Sequence, residues 1–133
     1  MYENSILIKE FKSKDKTSDV LPKIFASILK TYTIENLYYT KGPGSFMSIK
    51  VSYLFLKSIA ITKNIDLFAS DGFAFNQNSP IKALGTLYFL KKNGKIQTQK
   101  LESEKIVPFT LPKNLDKTLF STNCEPLYII PAL

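Results

Sequence analysis

The residues best placed to do chemistry lie in Lys41-Gly-Pro-Gly-Ser-Phe46. Glycines in a turn that opens a helix let backbone N–H groups approach an anion, and the helix dipole favours negative charge there. Gly42, Gly44 and Ser45 are therefore a candidate phosphate loop, although the Lys-Ser/Thr ending of a P-loop is absent. The same residues also make a rigid strand-to-helix turn, with Pro43 fixing φ and the glycines supplying unusual backbone angles. On chemistry alone the turn is the preferred reading and the anion cradle the alternative. An enzyme built on such a loop would use Asp66 or Asp71 as metal carboxylate or base. Asp71 beside Gly72 is better read as a turn or helix-cap residue.

The residues that are missing narrow the chemistry further. The 133-residue chain has no histidine, which removes Ser-His and Cys-His nucleophile pairs, histidine bases and histidine-ligated metals. Its single cysteine, Cys124, allows no internal disulfide or cysteine-cluster metal site, and with no basic neighbour in sequence it reads as structural. All eighteen basic residues are lysine, and the net charge is +7. Lysine lacks the planar fork with which arginine grips phosphate or guanine edges. The lysines are spread along the chain, as expected of a solvated surface. An RNA-binding reading would interleave them with Tyr38, Tyr39, Tyr53, Phe73 and Phe75 as stacking rings, but aromatics at these spacings are more often core.

A hydrophobic fraction of 44% and a charged fraction of 22% describe a globular chain able to bury a core without disulfides. No run approaches the ~18 apolar residues of a membrane span, and Met-Tyr-Glu-Asn does not begin a secretory signal. A cytoplasmic location without membrane attachment is the expectation.

The elements that must position these residues follow from periodicity. Residues 5–11 read as a strand, and a helix starts near residues 17–19, capped by Ser18 or Asp19, with Pro22 then in the first turn. Val20, Leu21, Ile24, Phe25, Ile28, Leu29 and Tyr32 give that helix one broad apolar face. Residues 36–40 and 65–70 read as strands, and residues 71–76 as one helical turn. Residues 84–90 and 96–101 flank Asn93-Gly94, a strong two-residue hairpin signal. Residues 102–123 read as loops and residues 127–130 as a terminal strand. Strands alternating with helices, then a hairpin, make an α/β layered domain.

Residues 45–63 are helical but do not form one apolar stripe. At ~100° per residue, Ile49, Tyr53, Leu56 and Ala60 make one row, and Met47, Val51, Leu54 and Ile61 make another roughly opposite. Lys50 and Lys57 fill one gap, and Ser48 and Ser52 fill the other as a small-residue notch. A helix apolar on two sides must be covered on two sides. A sheet can take one; the other needs a further helix, from this chain or from a partner.

Gly-Pro-Gly-Ser-Phe46 followed by Ser48-Ile-Lys-Val-Ser52, then Ile65-Asp-Leu-Phe-Ala-Ser70, resembles the GPGSFTGLRIG…IPLVGVSS stretch of the TsaB (YeaZ) family. Thr17-Ser-Asp-Val-Leu-Pro22 is similar to that family's HSExLLP helix start, and Cys124-Glu-Pro-Leu-Tyr-Ile129 to its EPxYLR strand. The resemblance implies an actin/Hsp70/sugar-kinase-like (ribonuclease H-like) α/β fold, a mixed sheet with two long helices. It divides the chain into an αβ lobe over residues 1–76 and a reduced hairpin region over 77–133, packed together as one domain. It also implies a non-catalytic scaffold for TsaD, which transfers threonylcarbamoyl to a tRNA adenosine beside the anticodon, with the ATPase TsaE joining the assembly and tRNA contacted only indirectly.

By that resemblance the partner surface comprises Ile24, Ile28, Leu29, Met47, Ser48, Val51, Ser52, Leu54 and Phe55, and the chain alone forms a homodimer through it. The departures are specific. The family's opening Asp-Thr-Ser strand has no counterpart before Tyr2, its Thr-Gly-Leu-Arg becomes Met47-Ser-Ile-Lys50, and its second half is longer. A shortened member without a bound cofactor or metal is expected, ATP or ADP entering only at a partner interface.

Overall fold

The computed structural model describes residues 1–102 and 106–128. At its centre is a βαβ unit, which follows directly from the alternation of β-branched or aromatic runs with one long helical run. Strand β3 (Asn36–Thr40) leads through the glycine turn into helix α2 (Phe46–Lys63), which returns to β4 (Asp66–Ser70), parallel to β3 with Asn36 opposite Asp66. Helix α1 (Thr17–Thr31) precedes the unit and packs beside α2, where Phe25 meets Phe55 edge-on at 5.4 Å. Asn64 ends α2 in the left-handed conformation at φ 54°, and its N–H closes the last turn.

Alternation along the two strands sorts their side chains. Leu37, Tyr39, Leu67 and Ala69 face Leu56 and Ala60 of α2 and form the main core with Cys124. On the opposite side Tyr38 stacks on Phe68 and meets Phe120 edge-on at 4.9 Å. A smaller core of Phe73, Ile81 and Phe89 lies under the sheet of β5 (Ile81–Lys82), β6 (Leu87–Lys92) and β7 (Lys95–Lys100). Residues from both halves of the chain enter both cores.

Several expectations are corrected. The strand over residues 5–11 is instead a hairpin of β1 (Tyr2–Glu3) and β2 (Ile6–Leu7), turned by Asn4 and Ser5 at positive φ. The cap of α1 is Lys16, with no side-chain cap bond; Asp19 sits inside the first turn, where its charge suits the dipole. Pro22 therefore falls a turn further in than expected, within the helix. The strand over 84–90 begins at Leu87, because Leu84 and Gly85 turn the chain back so that β5 can pair with β6. One mixed sheet is replaced by three small ones of two, two and three strands.

The segment over residues 106–128 joins these sheets by single bridges, Ile6 to Asn114 and Ala69 to Ser121, and contains one 3₁₀ turn at Lys117–Leu119. The terminal strand over 127–130 is not formed at Leu127 and Tyr128, and its last two residues lie outside the described ones. Asn93 and Gly94, at φ 51° and 77°, make the two-residue turn that their types demand.

Candidate functional site

Helix α2 is the element on which the candidate surface stands, and its sides are now assigned. Tyr53, Leu56 and Ala60 pack into the core against the β3–β4 pair, with Leu56 and Ala60 buried, and Ile49 on the same side reaches the Gly42 turn. Phe55 faces α1. The other apolar row is left open, with Met47 66%, Leu54 53% and Ile61 71% exposed and Val51 half-buried between them. Lys50 and Lys57 stand exposed along one border of that row. Ser58 lies within it, its hydroxyl donating to the Leu54 carbonyl oxygen at 2.8 Å. Among the described residues no helix is long and apolar enough to cross a bilayer.

The structure brings only part of the sequence-derived surface onto this open row. Met47, Ser48 and Leu54 are exposed, and Val51, Ser52, Ile24 and Leu29 are half-buried. Phe55 is also half-buried, its ring committed to Phe25. Ile28 is buried inside the chain, because α1 turns that residue inward. Val20 and Ile24 border a shallow cleft under Glu10–Lys12 instead of continuing the α2 row. Ile61 extends the row by about two more turns, and the repeat of seven residues from Met47 to Leu54 to Ile61 is its signal in the sequence.

The glycine turn has a packing explanation. Gly42 is buried at φ +103°, and a Cβ there would come within 2.7 Å of Ile49 Cδ1. Its carbonyl oxygen accepts from Gly72 N–H at 2.9 Å, tying the turn to the end of β4. A Cβ on Gly44 would lie 3.8 Å from the same Ile49 methyl, an ordinary contact, while Ser45 is the exposed cap residue of α2 and makes no side-chain cap bond. The peptide bond between Gly42 and Pro43 is cis.

Asp71 stands next to this turn, but both its oxygens are engaged. Oδ1 accepts from Phe73 N–H at 3.0 Å, capping a 3₁₀ turn at Gly72–Phe75, and Oδ2 pairs with Lys91 Nζ at 2.5 Å. Asp66 lies at the far end of β4, about 15 Å away along the strand. Among the described residues no three His, Cys, Asp or Glu side chains gather as a metal site.

Buried polar groups elsewhere serve the fold. The Tyr39 hydroxyl donates to the Cys124 carbonyl oxygen, and burial, followed by the Cys124 thiol, pushes its pKa far up, so it stays a donor. The Cys124 thiol donates to the Leu67 carbonyl oxygen at 3.0 Å and is likewise pushed up by burial, against the pull of Lys57 and Lys41. Tyr39 and Phe73 are core residues, and Tyr38, Tyr53 and Phe75 turn their rings to other rings within the chain.

A parallel βαβ unit with a second helix beside the crossover and a hairpin region attached places the chain in the mixed α/β class. Among solved structures, YeaZ from Pseudomonas aeruginosa is similar to it, with a TM-score of 0.50 at 13% identity over 68% of this chain. The match takes in 52% of that protein, so the chain spans about half the length of this neighbour. At that identity the likeness is one of fold. No protein-family model matches the sequence, and no curated protein does.

Proposed function

We propose that the chain is a non-catalytic subunit that docks through the open row of α2 onto a TsaD-like transferase, supporting threonylcarbamoyl transfer to tRNA. The observation that carries this reading is the exposure of Met47, Leu54 and Ile61 on one side of a helix whose other apolar side packs on the core. Three large apolar side chains in one line, beyond the scattered apolar residues of ordinary surfaces, mark a contact site. The likeness in fold to YeaZ and the Gly-Pro-Gly-Ser-Phe46 resemblance support a TsaD-like partner. A TsaE-like ATPase belongs to the same assembly, and tRNA reaches the chain only through the transferase. Without its partner the chain covers the row with a second copy of itself. The setting is the cytoplasm.

The catalytic alternative, a phosphate at Gly42, Gly44 and Ser45 with an Asp71 base, is less well supported, because packing against Ile49 and the Lys91 pair already account for Gly42 and Asp71. The test is depletion of this chain in its own cell, with threonylcarbamoyladenosine in total tRNA measured by mass spectrometry. The reading requires that the modified nucleoside fall and that re-expression restore it. Unchanged modification under full depletion contradicts it.

A further inference from the structure

The open row of α2 has a finer pattern than mere exposure. Met47, Val51, Leu54, Ser58 and Ile61 follow one another at spacings of four, three, four and three, the seam of a helix that packs in coiled-coil register. Such a seam is narrow, whereas a helix lying on a lipid surface presents an apolar arc of ~100° or more. One of its borders is charged, with a single sign. Lys50 and Lys57 sit seven residues apart along it, both exposed, and α2 contains no acidic residue. Across α1 and α2 together the only acid is Asp19, against Lys23, Lys30, Lys50, Lys57 and Lys63.

Residues that flank a coiled-coil seam select the partner by charge. A second copy packed antiparallel would bring lysines to lysines, which opposes pairing, and one packed parallel would set them against the uncharged border of Ser48, Phe55 and Thr62, which offers them no counter-charge.

We infer that the open α2 seam is built for a partner helix whose apolar stripe is flanked by acidic residues, and that a second copy is the poorer occupant. This rests on the docking reading above and adds the partner's chemistry to it. Each ion pair at such a border is worth little singly, but turning two repulsions into two attractions changes affinity about tenfold. The effect is screened within a Debye length of ~10 Å at 0.1 M salt. Association with the acid-flanked helix therefore weakens as salt rises, and self-association of the chain tightens.

The test uses the full chain and two labelled synthetic helices with the same Leu/Ile heptad stripe, one flanked throughout by Glu and the other by Lys. Fluorescence anisotropy is read at 50 and 500 mM salt. At low salt the Glu-flanked helix should bind about tenfold more tightly, with the difference largely lost at high salt. The double substitution Lys50→Glu with Lys57→Glu should reverse the preference, while Lys92→Glu with Lys95→Glu, on the β6–β7 turn, should leave it in place. Equal binding of both helices, abolished by Leu54→Glu, would overturn the charge selection and leave the docking face standing. Binding of neither helix, or binding untouched by Leu54→Glu, would overturn the docking face itself. Preference for phosphatidylserine vesicles over both helices would overturn the helix partner in favour of a lipid surface.

Discussion

Leu54 and Leu56 stand two residues apart on α2, and their substitutions should have opposite consequences. Leu56 is 7% exposed and sits between the sheet and the helix in the main core. Leu56→Ala removes buried methyl groups and leaves a cavity, at about 2–5 kcal/mol. In a domain of this size that lowers the melting temperature by about 10–20 °C. Leu54 is 53% exposed. Leu54→Glu puts a good helix former on a solvated side, one turn from both Lys50 and Lys57, so monomer stability should move by no more than about 0.5 kcal/mol.

Association reverses the ranking. Covering the exposed half of Leu54 contributes about 1–1.5 kcal/mol at a contact, and a carboxylate left in an apolar seam adds a desolvation cost of ~2 kcal/mol or more. Leu54→Glu should therefore weaken docking at least a hundredfold while its thermal melt overlays that of the unsubstituted chain. The assay pairs circular-dichroism melts with light scattering of mixtures with a TsaD-like subunit. A melt for Leu54→Glu as low as that of Leu56→Ala, or a complex of undiminished affinity, would refute the assignment of sides on α2.

Two further outcomes follow from the interior. The folded-state pKa of Tyr39 lies above its ordinary 10.0 because of burial, so its contribution to stability is complete below pH 10 and is lost as pH rises through the higher folded value. Tyr39→Phe should lower stability at neutral pH by about 1 kcal/mol, through the unpaired Cys124 carbonyl, and flatten the alkaline limb of a denaturant titration; an unchanged limb would count against it. Gly42→Ala should cost about 2 kcal/mol, because the new methyl meets Ile49 Cδ1 at positive φ, and Gly94→Ala, with open space around it, about half as much. Equal losses in thermal melts would show that the close approach to Ile49 does not matter.

Local pattern made the central unit legible. The runs over 36–40, 45–63 and 65–70 carry their own period, and Asn93-Gly94 encodes its own turn, so these elements lie within one or two residues of their expected bounds. The two-residue strands β1, β2 and β5 have no period to read, and the bridges at Asn114 and Ser121 arise from contacts distant in sequence. The same division holds at the surface. Two-sided apolarity of α2 was plain in the sequence, but which row the sheet would cover, and that Ile28 would turn inward, depended on how α1 and α2 pack.

The most direct test of the docking reading is size-exclusion chromatography with light scattering of this chain mixed with the TsaD-like protein of the same organism, at micromolar concentration. A stable one-to-one complex that is lost on Leu54→Glu is the outcome the reading requires. Separate elution of the two folded proteins, or a complex indifferent to that substitution, would contradict it.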